Sequence, residues 1–195
     1  MPAGTQPKGE GKAIIFSAPS GAGKSTMIES LMSSDLPLGF SVSATTRAPR
    51  GEEVDGVSYH FMTPEHFAQR LQAGEFVEYE EVYKGLSYGT LCSEVEKMWA
   101  EGVVPLFDID VVGGQTLKHV FGDSALSIFI VPPSIEELER RLRSRGTDDE
   151  KMIQKRVAKA AQELETQDNF DVKLVNENLD AAKAEAYRLV EEFIG

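Results

Sequence analysis

The chain has 195 residues with 41% hydrophobic and 27% charged side chains, one cysteine and a formal net charge of -12 at pH 7. That length supports one sizeable core, and the acidic balance excludes a broad polyanion-binding face, so no nucleic-acid partner is expected and an anionic ligand has to be small. Cys92 alone excludes an intramolecular disulfide and a metal site built on paired cysteines, which fits a reducing cytoplasm; no apolar run reaches the ~20 residues of a membrane helix, so no membrane partner is expected.

Residues 1–11, rich in Pro, Gly and polar side chains, lack the apolar centre of a signal peptide and read as a loose tail. The apolar run Ala13-Ile14-Ile15-Phe16 then leads into Ser17 to Thr26, SAPSGAGKST, and on to a helix-like segment over Met27 to Met32. Strand, glycine loop, Lys-Ser and helix in that order make a phosphate-binding P-loop. Gly21 and Gly23 let backbone N–H groups turn around an anion, and the new helix points its positive end at the same place. Lys24 then reaches the outer phosphates and Ser25 offers a hydroxyl to Mg²⁺. Ala18 replaces the usual first glycine, a small cost if its φ is negative. The bland alternative is a flexible glycine turn before a helix.

Leu36 to Gly39 breaks the pattern, and Phe40-Ser41-Val42-Ser43 alternates like a short strand. In the following Thr45-Thr46-Arg47-Ala48-Pro49-Arg50, two arginines near hydroxyls suit a loop that grips an oxyanion, or else two solvated surface cations. Val57 to Phe61, Phe76 to Glu80 and Tyr88 to Thr90 read as short strands, with a helix over Pro64 to Ala73 capped by Thr63. So little apolar mass suggests a small subdomain beside the main sheet. Cys92 to Glu101 is helical in pattern and ends at Gly102. Val103 to Asp110 is apolar and then acidic, as a buried parallel strand with carboxylates at its C-terminal end should be. Asp108 is the candidate to hold Mg²⁺, directly or through water; the alternative is a helix-capping or loop carboxylate.

Ser127 to Val131 is another buried strand, and Ser134-Ile135-Glu136-Glu137 has the form of a capping box. The helix it opens carries Arg140, Arg141, Arg143 and Arg145, and the next, Asp148 to Glu165, carries Arg156. They read either as a solvated pair laced by ion pairs or as a lid bringing guanidinium groups over a moving phosphoryl group. Val172 to Asn176 is a last strand and Leu179 to Ile194 a closing amphipathic helix. The alternation predicts an α/β fold with a doubly wound parallel sheet.

From about Lys12 onward the chain resembles guanylate kinases. The resemblance is carried by SAPSGAGKST, FSVSATTRAPRGEEVDGVSYHF, GEFVEYEEVYKGLSYGT, LFDIDVVGG, VPPSIEELERRLRSRGTD and VNENLD; Ser87 stands where many relatives have another tyrosine. It implies a P-loop NTPase-type core with a small mixed α+β GMP-binding subdomain and a helical lid, divided as core 12–41, GMP-binding subdomain 42–91, core 92–133, lid 134–164 and core 165–195. It further implies transfer of the ATP γ-phosphoryl group to GMP with Mg²⁺, by a cytoplasmic monomer or homodimer of purine nucleotide metabolism.

By the same resemblance, Ala18, Pro19, Ser20, Gly21, Ala22, Gly23, Lys24, Ser25 and Thr26 bind ATP, with Asn176 near the adenine. Arg47, Arg50, Tyr59 and Tyr88 bind the GMP phosphate, and Ser43, Glu78, Thr90 and Asp110 line the guanine. Lys24, Arg47 and the lid arginines Arg141, Arg145 and Arg156 are the implied catalytic groups, with Ser25 and Asp108 toward the metal. A carboxylate such as Glu78 accepts from both N1–H and N2–H₂ of guanine and would be left unpaired against adenine. The competing readings are a non-catalytic domain of the same fold that binds phosphorylated partners, and a P-loop kinase for another phosphorylated small molecule.

Overall fold

β1 (Ala13–Ser17) is buried along its whole length and runs through the middle of the main sheet of the computed structural model, which describes residues 4–144, 146 and 148–195. Its neighbours are β7 (Val104–Asp108), paired as Ile14↔Leu106 and Phe16↔Asp108, and β8 (Ala125–Val131), paired as Ala13↔Ala125 through Ser17↔Phe129. β2 (Leu38–Phe40) and β9 (Val172–Val175) complete a five-stranded, all-parallel sheet in the order β2-β7-β1-β8-β9.

The two-residue period of β1 divides the core between the two faces. Ile14 and Phe16 pack on α1 (Lys24–Met32) and α7 (Leu179–Ile194) through Met27, Leu31, Ala186 and Val190. Ala13 and Ile15 pack on α3 (Cys92–Ala100) and α4 (Val111–Phe121) through Val95, Leu117 and Phe121. The second sheet is four-stranded and mixed, in the order β4 (His60–Phe61), β3 (Ala44–Thr45), β6 (Leu86–Leu91), β5 (Phe76–Tyr83). Its small core joins Ala44, Phe76 and Leu91 to Phe67 of α2 (Pro64–Gln72), whose N-cap Thr63 accepts from His66 N–H. α5 (Ile135–Ser144) and α6 (Glu150–Leu164) share a further cluster of Leu138, Leu142, Ile153 and Ala160.

Several local expectations shift. The edge strand is Leu38–Phe40 instead of Phe40 to Ser43, because Leu38 and Phe40 pair with Val104 and Leu106. Gly39 fits there where a Cβ would meet Val103 and Met98 at 2.6 and 2.7 Å. Only His60 and Phe61 of the run from Val57 are strand; Val57 N–H turns back to the Val54 carbonyl. The helix Val111–Phe121 went unread, since its two glycines hid the apolar period. Residues 4–12, expected as a loose tail, run as a strap across the second face: Thr5 N–H donates to the Phe76 carbonyl at 3.0 Å and Lys8 N–H to Glu96 at 2.7 Å. The Trp99 indole donates to the Lys12 carbonyl at 2.9 Å, and Pro7 is buried. Among the described residues, no helix is long and apolar enough to cross a membrane.

Candidate active site

The turn from β1 into α1 folds because Gly21 and Gly23 take φ values of 97° and 101°, which side chains with a Cβ rarely adopt. Ala18 does not have a positive φ; its methyl is buried in the main core, so the missing glycine costs nothing visible. Gly23 occupies the N-cap of α1 and supplies no side-chain acceptor, leaving the first N–H groups of the helix for an anion. The buried Asn176 side chain donates to the Ala22 carbonyl at 2.8 Å and lies where a Cβ on Gly23 would collide, 2.3 Å from its nitrogen.

Above this loop is a cavity of about 530 Å³. The loop contributes Ala18, Pro19, Ser20, Gly21, Gly23, Lys24 and Ser25, the end of β7 and the following corner contribute Asp108 and Asp110, and α6 contributes Lys155, Arg156, Lys159 and Glu163. Lys24 Nζ is ion-paired to Asp108 and donates to the Ile109 carbonyl at 2.8 Å. Ser17 Oγ donates to the Asp110 carbonyl at 3.0 Å, fixing the corner after β7 to β1. Arg156 donates to Ser20 Oγ at 2.7 Å and pairs with Asp148 at 3.1 Å, so α6 is docked on the loop through this arginine.

A second cavity of about 230 Å³ opens on the other side of Asp108 and Asp110, lined by Ser43, Tyr59, Glu78, Glu80 and Tyr88. Glu78 is 6% exposed and accepts from Thr90 Oγ1 at 2.8 Å. Burial first, and the Asp110 charge with it, pushes its carboxyl up to about 7. Tyr59 and Tyr88 meet edge to face at 5.9 Å, and the Arg47 guanidinium lies over the Tyr59 ring at 5.1 Å. Glu53 grips Arg47 with two hydrogen bonds of 2.7 and 2.9 Å, which holds the Glu53 carboxyl down at about 2. Asp110 caps α4 by accepting from Gly113 N–H at 2.8 Å; the capping role allowed for Asp108 falls here instead.

The remaining expected residues are placed as follows. Arg141 lines a separate cavity of about 400 Å³ with Gly21, Gly23, Thr26 and Asn176, and bonds Glu137 at 2.8 Å and the Asn176 carbonyl at 3.2 Å. Arg50 is exposed and is not part of the wall around Glu78. Arg140 and Arg143 make solvated ion pairs with Glu137 and with Glu139 and Glu150. Arg145 lies outside the described residues. Lys155, Lys159, Glu163, Glu80 and Glu53 were not singled out in the sequence. For α6 a signal existed: Met152, Arg156, Lys159 and Glu163 recur at three- and four-residue steps, marking one face of a helix.

The chain matches the guanylate kinase family model over residues 10–194. It is 52% identical over 187 residues to the guanylate kinase of Bacteroides fragilis, covering 96% of this chain and 92% of that one. It is likewise 52% identical over 184 residues to that of Porphyromonas gingivalis, with 94% and 98% covered. The crystal structure of guanylate kinase from Anaplasma phagocytophilum superposes with a TM-score of 0.69 at 29% identity, over 96% of this chain and 88% of that chain. With the family model matched over residues 10–194 and relatives 52% identical over nearly their full length, the chain belongs to the guanylate kinase family.

Proposed function

We propose that this chain transfers the γ-phosphoryl group of ATP to GMP, giving ADP and GDP, with the P-loop cavity as donor site and the Glu78 cavity as acceptor site. The observation that carries the reading is the meeting of the two cavities at Asp108 and Asp110, one walled by phosphate-binding backbone and the other by a buried carboxylate. In the donor site the Gly21–Ser25 backbone cradles phosphates and Lys24 reaches the outermost. The cavity of Arg141 and Asn176, on the far side of the loop, suits the adenosine end, with Ala22 and Thr26 at its edge.

In the acceptor site Glu78, supported by Thr90, accepts from guanine N1–H and N2–H₂, with Ser43 and Asp110 beside it. Tyr59, Tyr88 and Arg47 take the GMP phosphate, and exposed Arg50 joins when the loop folds inward. Transfer then depends on alignment and charge neutralisation by Lys24, Arg47 and Arg156. Among the described residues no cluster of three or more His, Cys, Asp or Glu could cage a metal by itself. Ser25 and Asp108 fit Mg²⁺, which takes one or two protein oxygens and completes its shell from phosphates and water. When bound, the ion neutralises charge on the transferring phosphates. The subdomain limits at 42, 92, 134 and 165 and a cytoplasmic place in purine nucleotide metabolism go with this reading.

The test is coupled ADP release with ATP and Mg²⁺, comparing GMP, AMP, CMP and UMP. GMP should exceed AMP by a factor of about 10⁴, and Glu78→Gln should remove most of that preference, as expected when a buried acceptor is mismatched. Turnover of another acceptor would discard the guanine site. A folded but inactive protein would make it a binding domain.

A further inference from the structure

A fourth cavity, of about 260 Å³, shares Asp110 with both substrate cavities, Glu80 with the acceptor site, and Lys159 and Glu163 with the donor site. It is where the lid helix α6 faces the acceptor sheet. On the sheet side, Glu80 and Asp110 line the cavity together, and burial followed by the neighbouring Asp110 carboxyl pushes the Glu80 carboxyl up; Asp110 also caps α4 through Gly113 N–H at 2.8 Å. Two carboxyl groups in contact repel unless a proton or a cation stands between them. On the lid side, Lys159 pairs with Glu163 at 3.3 Å with 69% of its side chain exposed, and its charge already reaches Glu80 across the cavity. Lysine four residues before glutamate is the less favourable order on a helix, and exposed pairs of this kind are weak. The ammonium can therefore exchange partners on a flexible four-carbon stem.

We propose that Lys159 is a positioning residue for the transfer: as α6 closes over the substrates, its ammonium moves from Glu163 to the Glu80–Asp110 pair and latches the lid to the acceptor sheet. The latch rests on the phosphotransfer reading above. It offsets the repulsion between Glu80 of β5 and Asp110 at the α4 corner, and it holds Arg156, one turn earlier on α6, over the donor site. An interaction that is strengthened on closure stabilises the transition state more than ground-state binding, so its loss falls mainly on kcat and little on KM.

The test compares steady-state kinetics with ATP and GMP for the wild type, Lys159→Met, Glu80→Gln, the double variant and Lys159→Arg, each checked for folding by its thermal melt. Lys159→Met should lower kcat about 5–10-fold while both KM values stay within about twofold. Glu80→Gln should lower kcat similarly, the double variant should be no worse than the worse single, and Lys159→Arg should keep at least about half the activity. Multiplying losses in the double variant would overturn the latch. So would an unchanged kcat in Lys159→Met, a change confined to KM, or failure of arginine to substitute. An inactive wild type would instead overturn the transfer reading and the latch with it; an active one with independent variants defeats the latch alone.

Discussion

Glu78 has two opposing requirements. Burial raises its carboxyl from 4.5 to about 7, so near pH 6.5 the free protein holds it mostly protonated, whereas guanine N1–H and N2–H₂ need the carboxylate as acceptor. GMP binding at pH 6.5 should therefore release protons, seen by calorimetry as a binding heat that changes with the ionisation heat of the buffer; Glu78→Gln should show a smaller dependence, the remainder coming from the GMP phosphate, which titrates at about pH 6. The same shift fixes a stability effect. Between pH 4.5 and 7 the folded state keeps a proton that the unfolded chain has lost, so this group's contribution falls as pH rises through that window. Glu78→Gln, which can keep the Thr90 bond, should raise stability at pH 8 by on the order of 2–3 kcal/mol, measured by urea denaturation. Glu53 behaves oppositely. Arg47 holds it down at about 2, so that pair supports the folded loop above pH 4.5 and is lost as pH falls toward 2.

Among the elements, α4 joins fold and site. Asp110 starts it, Ser17 Oγ pins its entry, and its axis lies close enough to β1 that a Cβ on Gly114 would fall 2.3 Å from Ser17 Oγ. A Cβ on Gly113 would fall 2.4 Å from Ile109. Gly114→Ala should thus push the helix outward and destabilise the protein by about 1–3 kcal/mol, the usual range for overpacking, read as a lower urea midpoint. Because Asp108 and Asp110 border both the P-loop cavity and the Glu78 cavity, the same variant should weaken turnover, through this corner and through Ser17 at the start of the P-loop. α6 plays the complementary part, carrying Lys155, Arg156, Lys159 and Glu163 on one face and burying Ile153 and Ala160 on another.

At the scale of the molecule, the main sheet, the small sheet and the helical pair each have a hydrophobic cluster of their own. The small sheet closes on Phe67 and Phe76, the helical pair on Leu138 and Leu142, and the main sheet on the two faces of β1. Separate clusters allow the parts to shift without opening the central core. The small sheet is also tied to the second face of the main one: Val77 of β5 is buried among Val95, Leu117 and Phe121, His60 Nε2 lies 3.0 Å from Glu94, and the strap of residues 4–12 runs from Phe76 to Trp99. Removing residues 1–10 deletes the Thr5 and Lys8 hydrogen bonds and buried Pro7, so it should cost about 2 kcal/mol of stability, lowering the thermal midpoint by several degrees.

What was legible in the amino-acid order was whatever depends on neighbours along the chain. The P-loop could be read because its strand, glycines, lysine and helix are contiguous, the Thr63 cap because it is three residues from its donor, and the alternating elements because burial on both faces leaves an unbroken apolar run. The role of Ala18 needed only a sign of φ. Contacts between distant segments were decided in three dimensions. The α4 helix was hidden because Gly113 and Gly114 answer to Ser17 and Ile109 and not to helix propensity. Glu80, Glu163 and Lys159 look like solvated charges in sequence and gain meaning only when β5 and α6 come to one cavity. The family resemblance groups Arg141 with Arg156, and the fold has the two line different cavities beside the loop. Local pattern determined the phosphate-binding chemistry legible in this chain, and tertiary packing alone set Glu78 and Lys159 in neighbouring cavities that share Asp110, because those contacts join segments far apart in the sequence.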